Sequence, residues 1–303
     1  MRAQFSRTML EIGKQDPNLF VLVGDIGAFG LREFAEQCKG RFLNAGIREQ
    51  AMIGTAAGLA LTGFVPVIHS ITPFVVERCF EQIKDDFCYQ QLPANIISVG
   101  AGFDYSALGC THHSYSDIAS MVSLPGSKVF YPGSPSEFDL LFKSVYASGS
   151  LNYFRLGGRN HPIVFKPQDI LPGKSISIQE GSDLTLLVSG PLLENAVKAL
   201  QGFSKFKIEV IYSPSIKPFD SERLIASVKK TKRLLVVEDH SVNGGLGAQA
   251  LRSIQGLNTS FKSKLLGIED QFLRGYGAFE NLCEEIEIDP KGILRNIEEL
   301  CRE

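Results

Sequence analysis

Short apolar runs alternate with longer amphipathic stretches along the whole chain. Runs at 19–24, 65–69, 95–100, 128–131 and 151–155 are almost uninterrupted in their apolar character, and stretches at 47–61, 74–87 and 136–147 carry helical spacing. Strands apolar on both faces and separated by helices predict a mostly parallel sheet covered on both sides. The rhythm breaks between 160 and 181, where Pro162, Pro167, Pro172, Gly173 and Gly181 read as a linker. It then resumes with strands at 184–188, 208–211 and 234–237 and helices at 192–200, 221–230, 246–254 and 291–301. The pattern predicts an α/β protein of two three-layer domains: residues 1–165, a linker at 166–181, and a smaller domain at 182–303.

Composition adds mainly exclusions. The 303 residues are 44% hydrophobic and 21% charged, with a net charge of −2. That balance offers no basic stripe for nucleic acid. No apolar run reaches the length of a membrane span and no secretory h-region opens the chain, so a cytoplasmic protein is expected. The cysteines (Cys38, Cys79, Cys88, Cys110, Cys283, Cys301) are widely spaced and form no CxxC pair. Free thiols are expected rather than a zinc site or a disulfide framework.

Several stretches bear chemistry. Gly46-Ile47-Arg48-Glu49-Gln50-Ala51-Met52 places a carboxylate in the first turn of a helix, where the helix dipole alone favours it. The helix continues with Gly54, Ala56, Ala57, Gly58 and Ala60, small residues that permit close approach of another backbone or of a flat ligand. Phe74, Arg78, Phe80, Glu81, Gln82 and Ile83 follow the next strand. Taken alone, the two phenylalanines read as core, and Arg78 as a surface partner of Glu77 or Glu81. Thr111-His112-His113 lies in a glycine-containing loop with no further ligands at metal spacing. Asp25 follows the first strand in a turn, and Arg155 and Arg159 end the last strand of the first unit. In the second unit, Glu238-Asp239-His240 leads into Gly244-Gly245-Leu246-Gly247, which fits neither GxGxxG nor a P-loop.

Together these stretches resemble the transketolase family. Gly46, Ile47, Glu49, Gln50, Met52 and Ala56 to Ala60 match a pattern of its pyrimidine-binding domain, including that of 1-deoxyxylulose-5-phosphate synthases. The string from Glu238 to Gly247 is similar to its C-terminal domain. The resemblance implies a thiamine diphosphate cofactor. Glu49 would be the catalytic glutamate at N1′ of the aminopyrimidine, Phe74 would stack on that ring with Phe80 as second choice, and Ile47 and Asp25 would line the cofactor. It further implies that His112, with His113, Arg78 and Arg155, faces the substrate, His112 steadying the alkoxide that forms at the donor ketone. A carboxyl shielded from water can share a proton with a ring nitrogen, and an aromatic face suits a flat heterocycle.

Two departures and one gap sharpen the expectation. Leu108 stands where many relatives carry an aspartate, and Gly100 where transketolases carry a further histidine, pointing to a specialised sugar with Asp104 or Tyr105 as replacement contacts. The family's Gly-Asp-Gly motif for Mg²⁺ occurs nowhere in the chain. Mg²⁺ and the cofactor diphosphate are therefore expected on a separate partner subunit, in an α2β2 assembly with self-pairing of this chain. The expected activity is transfer of a two-carbon ketol unit from a ketose, free or phosphorylated, to an aldehyde. The alternatives are a decarboxylating thiamine enzyme, either synthase-like or the β-subunit of a 2-oxoacid dehydrogenase, and a non-catalytic regulatory subunit.

Overall fold

Twelve strands, taken in chain order, build two sheets in a computed structural model that describes residues 1–302. They are β1 (Leu19–Val23), β2 (Phe42–Asn44), β3 (Val65–Ile71), β4 (Ala94–Val99), β5 (Ser127–Phe130), β6 (Leu151–Leu156), β7 (Ile176–Gln179), β8 (Leu184–Val188), β9 (Ile208–Tyr212), β10 (Ser215–Lys217), β11 (Arg233–Ser241) and β12 (Lys262–Ile268). The first sheet has the order β10-β5-β6-β4-β3-β1-β2 and the second β12-β11-β8-β9-β7. Pairing is parallel throughout except at two edges, β10 on β5 and β7 on β9. The two mostly parallel α/β sheets agree with the expected fold class.

Alternate residues of the central strands serve opposite faces, as the pleat requires. Val21, Val23, Val67, Ile97 and Phe154 enter one cluster with Phe5, Met9 and Ile12 of helix α1 (Arg2–Gln15). Leu22, Ile68, Ile96 and Tyr153 enter the other with Met52, Ile53 and Ala56. Each such side chain contributes about 1.5–3 kcal/mol when fully buried, so a strand apolar on both faces is held from both sides. The second cluster continues into Leu187, Ile211, Ile216, Leu234 and Val236, so the two sheets share one core.

Three local features differ from the sequence pattern. The 166–181 stretch contains β7, an edge strand masked by its flanking prolines and glycines. β10, from the second unit, crosses to pair with β5 of the first sheet. The helix expected at 74–87 is a π-helical turn (Pro73–Glu77), a short α-helix (Phe80–Gln82) and a second π-helical turn (Ile83–Tyr89). The first π-turn is closed by the Arg78 amide donating to Pro73 O at 3.0 Å, and the Cys79 thiol donates to Phe74 O at 3.2 Å. Among the described residues no helix is long and apolar enough to cross a membrane.

Candidate active site

In parallel sheets, ligands bind beyond the carboxyl ends of the strands, where loops converge. Here that edge collects the loops after β1, β2, β3 and β4. β1 is followed by Gly24 and Asp25, the latter in the left-handed region at φ 66°. The Asp25 amide donates to Asn44 Oδ1 at 3.1 Å, Asn44 Nδ2 donates to Asp25 Oδ1 at 3.2 Å, and the Gly46 amide donates to Asn44 Oδ1 at 2.9 Å. These bonds tie the end of β1 to the turn that opens helix α2 (Glu49–Leu61).

Glu49 is the first residue of that helix, and its side chain is 2% exposed. The Arg78 guanidinium donates to Oε2 at 2.8 Å and the Ser70 hydroxyl, at the end of β3, donates to Oε1 at 3.3 Å. A Cβ on Gly24 would stand 3.1 Å from Ser70 Oγ and 3.3 Å from Glu49 Cγ, so glycine leaves the carboxyl its room. Phe74 is half-buried. Arg78 lies over its ring at 4.5 Å, and the His112 ring meets it edge-on at 5.3 Å between centroids. A shielded carboxyl, an aromatic ring and an imidazole thus come together at one edge. This donor and acceptor set fits a planar nitrogen heterocycle such as an aminopyrimidine.

His112 sits in the loop after β4, with Thr111 Oγ1 2.9 Å from its Nδ1. Tyr105 approaches it at 6.0 Å between ring centroids. The Tyr105 ring fills the space that a side chain on Gly100 would occupy. Arg2 donates to the Tyr105 hydroxyl, and both line a cavity of about 360 Å³ with Val99, Gly100, Asp104 and Gly157. Asp104 turns instead to the backbone, accepting from the Gly158 amide at 2.6 Å, and burial raises its pKa to about 6. Of the two replacements considered, Tyr105 is therefore the one beside His112.

Other expected site residues lie elsewhere. Arg155 is fully buried. Its Nε donates to Asp117 at 2.9 Å, its Nη1 to Asp239 Oδ1 at 2.6 Å and its Nη2 to Asp239 O at 3.1 Å, with the Tyr131 ring 4.5 Å away. A guanidinium so engaged joins the two domains and is not open to a substrate, which corrects the expected role. His113 is buried, with Nδ1 2.8 Å from the Tyr115 hydroxyl, and burial lowers its pKa, so it holds the loop from inside. Phe80 packs on the shared core rather than beside Phe74. Ile47 is 76% exposed, two residues before Glu49, and Asp25 is exposed and tied to Asn44. Arg78 pairs with Glu49, not with Glu77 or Glu81. Glu77 accepts from Ser114 and Ser116 at 2.9 and 3.0 Å, and burial raises its pKa. Ser70 and Glu77 were not foreseen; a hydroxyl at the end of β3 was the available signal for Ser70.

Residues 1–160 match the transketolase pyrimidine-binding domain, and residues 173–293 the transketolase C-terminal domain. The chain is 30% identical to a subunit of the apulose-4-phosphate transketolase of Phocaeicola vulgatus, over 97% of this chain and 95% of that one. It is also 30% identical to a 6-deoxy-6-sulfo-D-fructose transketolase subunit of Clostridium sp., over 99% and 94%. Among solved structures it superimposes on a split-gene transketolase, an inactive β4 tetramer, with a TM-score of 0.87 and 27% identity, over 99% and 97% of the two chains. With both domains matched and a relative similar over nearly its whole length, the chain belongs to the transketolase family, as the part that holds the pyrimidine-binding and C-terminal domains.

Proposed function

We propose that this chain, with a separate subunit that holds Mg²⁺ and the cofactor diphosphate, transfers a two-carbon ketol unit from a ketose to an aldehyde. The observation that carries the reading is the buried Glu49 carboxyl, held by Arg78, whose guanidinium lies over the Phe74 ring that the His112 ring meets edge-on. Thiamine diphosphate, when bound, supplies the nucleophilic carbon for the donor ketone. Phe74 would offer its face to the aminopyrimidine, and Glu49 would share a proton with the ring nitrogen N1′. Ser70 and Arg78 hold the two carboxylate oxygens in place beforehand. With Nδ1 engaged by Thr111, His112 keeps Nε2 to donate to the oxygen that gains charge on the substrate. Tyr105 and the cavity beside it accommodate the far end of the sugar.

Exposed Phe29 and Ile47, both 76% accessible near the ends of β1 and β2, support a partner closing over this edge. Relatives that are themselves named as subunits, together with the sequence's lack of Gly-Asp-Gly, support a heterotetramer of two chains of each kind. The six free cysteines support a reducing cytoplasmic setting. Mixing the chain with a partner carrying Gly-Asp-Gly, thiamine diphosphate and Mg²⁺ should give ketol transfer from a ketose and no decarboxylation of pyruvate. Turnover of pyruvate in place of the ketose would favour the decarboxylating alternative.

A further inference from the structure

The loop that carries His112 is built by one domain and held by the other. The amides of His112 and His113 both donate to Gly109 O, at 3.0 and 3.2 Å, so the turn at Gly109 sets where the imidazole stands. Gly109 has φ 71°, and the Tyr276 ring of the C-terminal domain lies directly on it: a Cβ there would meet ring atoms at 2.6 to 2.8 Å. Next to that contact, the Ser106 hydroxyl donates to Gly277 O at 2.5 Å. The far end of the loop is fixed the same way, because the Ser241 amide donates to Tyr115 O at 2.9 Å.

Tyr276 is 72% exposed, so its ring adds little to the core of its own domain. It rests instead on the loop of the other domain. We propose that the segment around Tyr276 and Gly277 is a clamp by which the C-terminal domain positions the His112 loop, with Tyr276 as the positioning residue. The proposal rests on the transketolase reading for its consequence, ketose binding, but not for the clamp itself. Without the ring, the loop samples conformations in which the imidazole is misplaced, and apparent ketose affinity falls by the fraction of time the loop is competent. Bound ketose still selects the competent loop, so turnover at saturation changes little.

The test uses the full chain with its partner subunit. In Tyr276→Ala, the KM for the ketose donor should rise roughly tenfold, with kcat within about twofold and thiamine diphosphate affinity unchanged. Tyr276→Phe keeps the ring and should restore the wild-type KM. Hydrogen exchange of the His112 and His113 amides, read without substrate, should accelerate in Tyr276→Ala and not in Tyr276→Phe. Ser106→Ala, which removes the second tether, should accelerate the same amides. Unchanged exchange in Tyr276→Ala, or faster exchange with an unchanged ketose KM, overturns the proposal. A wild-type pair that transfers no ketol unit overturns the transketolase reading instead, and the exchange result still decides whether the clamp exists.

Discussion

Removing the Arg155 guanidinium separates a substrate-binding arginine from one that joins the domains. Arg155→Met keeps most of the side-chain volume and deletes the donors that reach Asp117 at 2.9 Å and Asp239 at 2.6 Å. Both carboxylates are essentially inaccessible to water and would be left without their cation. Breaking a buried pair in this way costs about 3–5 kcal/mol, chiefly from the stranded charge. In a chain of this size that corresponds to a fall in melting temperature of roughly 5–8 °C. Arg155→Lys should recover only part of it, because one ammonium cannot reproduce the donors of a planar fork that serve Asp117, Asp239 Oδ1 and the Asp239 carbonyl. The assay is thermal unfolding of the isolated chain by circular dichroism, beside ketose kinetics of the assembled enzyme. A melting temperature within a degree of wild type, together with a raised ketose KM, would refute the domain-joining role and restore the substrate role.

Phe74→Ala and Phe80→Ala should part company: the first weakens cofactor binding in the assembled enzyme by about tenfold with little loss of stability, and the second costs roughly 1–3 kcal/mol of stability with cofactor affinity kept. Titration calorimetry and denaturant unfolding would read the two effects. His69 is buried, its Nδ1–H donates to Ile97 O at 2.8 Å, and burial lowers its pKa to about 4. Because the folded value lies below the unfolded one, its share of stability is present above pH 6.5 and is lost as pH falls towards 4, at about 1.4 kcal/mol per pH unit. The stability difference between wild type and His69→Gln, followed by urea unfolding from pH 7 to 4.5, should narrow along that slope; a pH-independent difference would contradict it.

The central strands were legible because a parallel strand buried on both faces is apolar at nearly every position, as in 19–23, and 94–99 departs from that only at Asn95 and Ser98. Edge strands escape that rule. β2 is three residues long with two exposed, β12 opens with three exposed residues, and β10 is a three-residue crossover from the other unit. Helix α1 has Phe5, Met9 and Ile12 on one face, a spacing that local pattern contains but that did not stand out in a polar segment. At the site, Glu49, Phe74 and His112 stood out through the family resemblance and not through the residues taken alone, and the structure brings them to one edge. Arg155 was misread because a sequence does not tell which way a strand-end side chain turns. Its partner Asp239 lies 84 residues away, in the other domain. Arg78 illustrates the same gap at short range: only the π-turn after β3 carries it over Glu49.

What the Glu49 carboxyl does to the cofactor is the central claim. The decisive quantity is the rate at which deuterium replaces the C2 proton of thiamine diphosphate in the assembled enzyme, followed by proton NMR after rapid quench. Glu49→Ala should slow that exchange by about 10²–10⁴-fold, the usual contribution of a positioned acid–base group, while the cofactor still binds. Exchange at the wild-type rate in Glu49→Ala, with cofactor bound, would contradict the role assigned to this carboxyl.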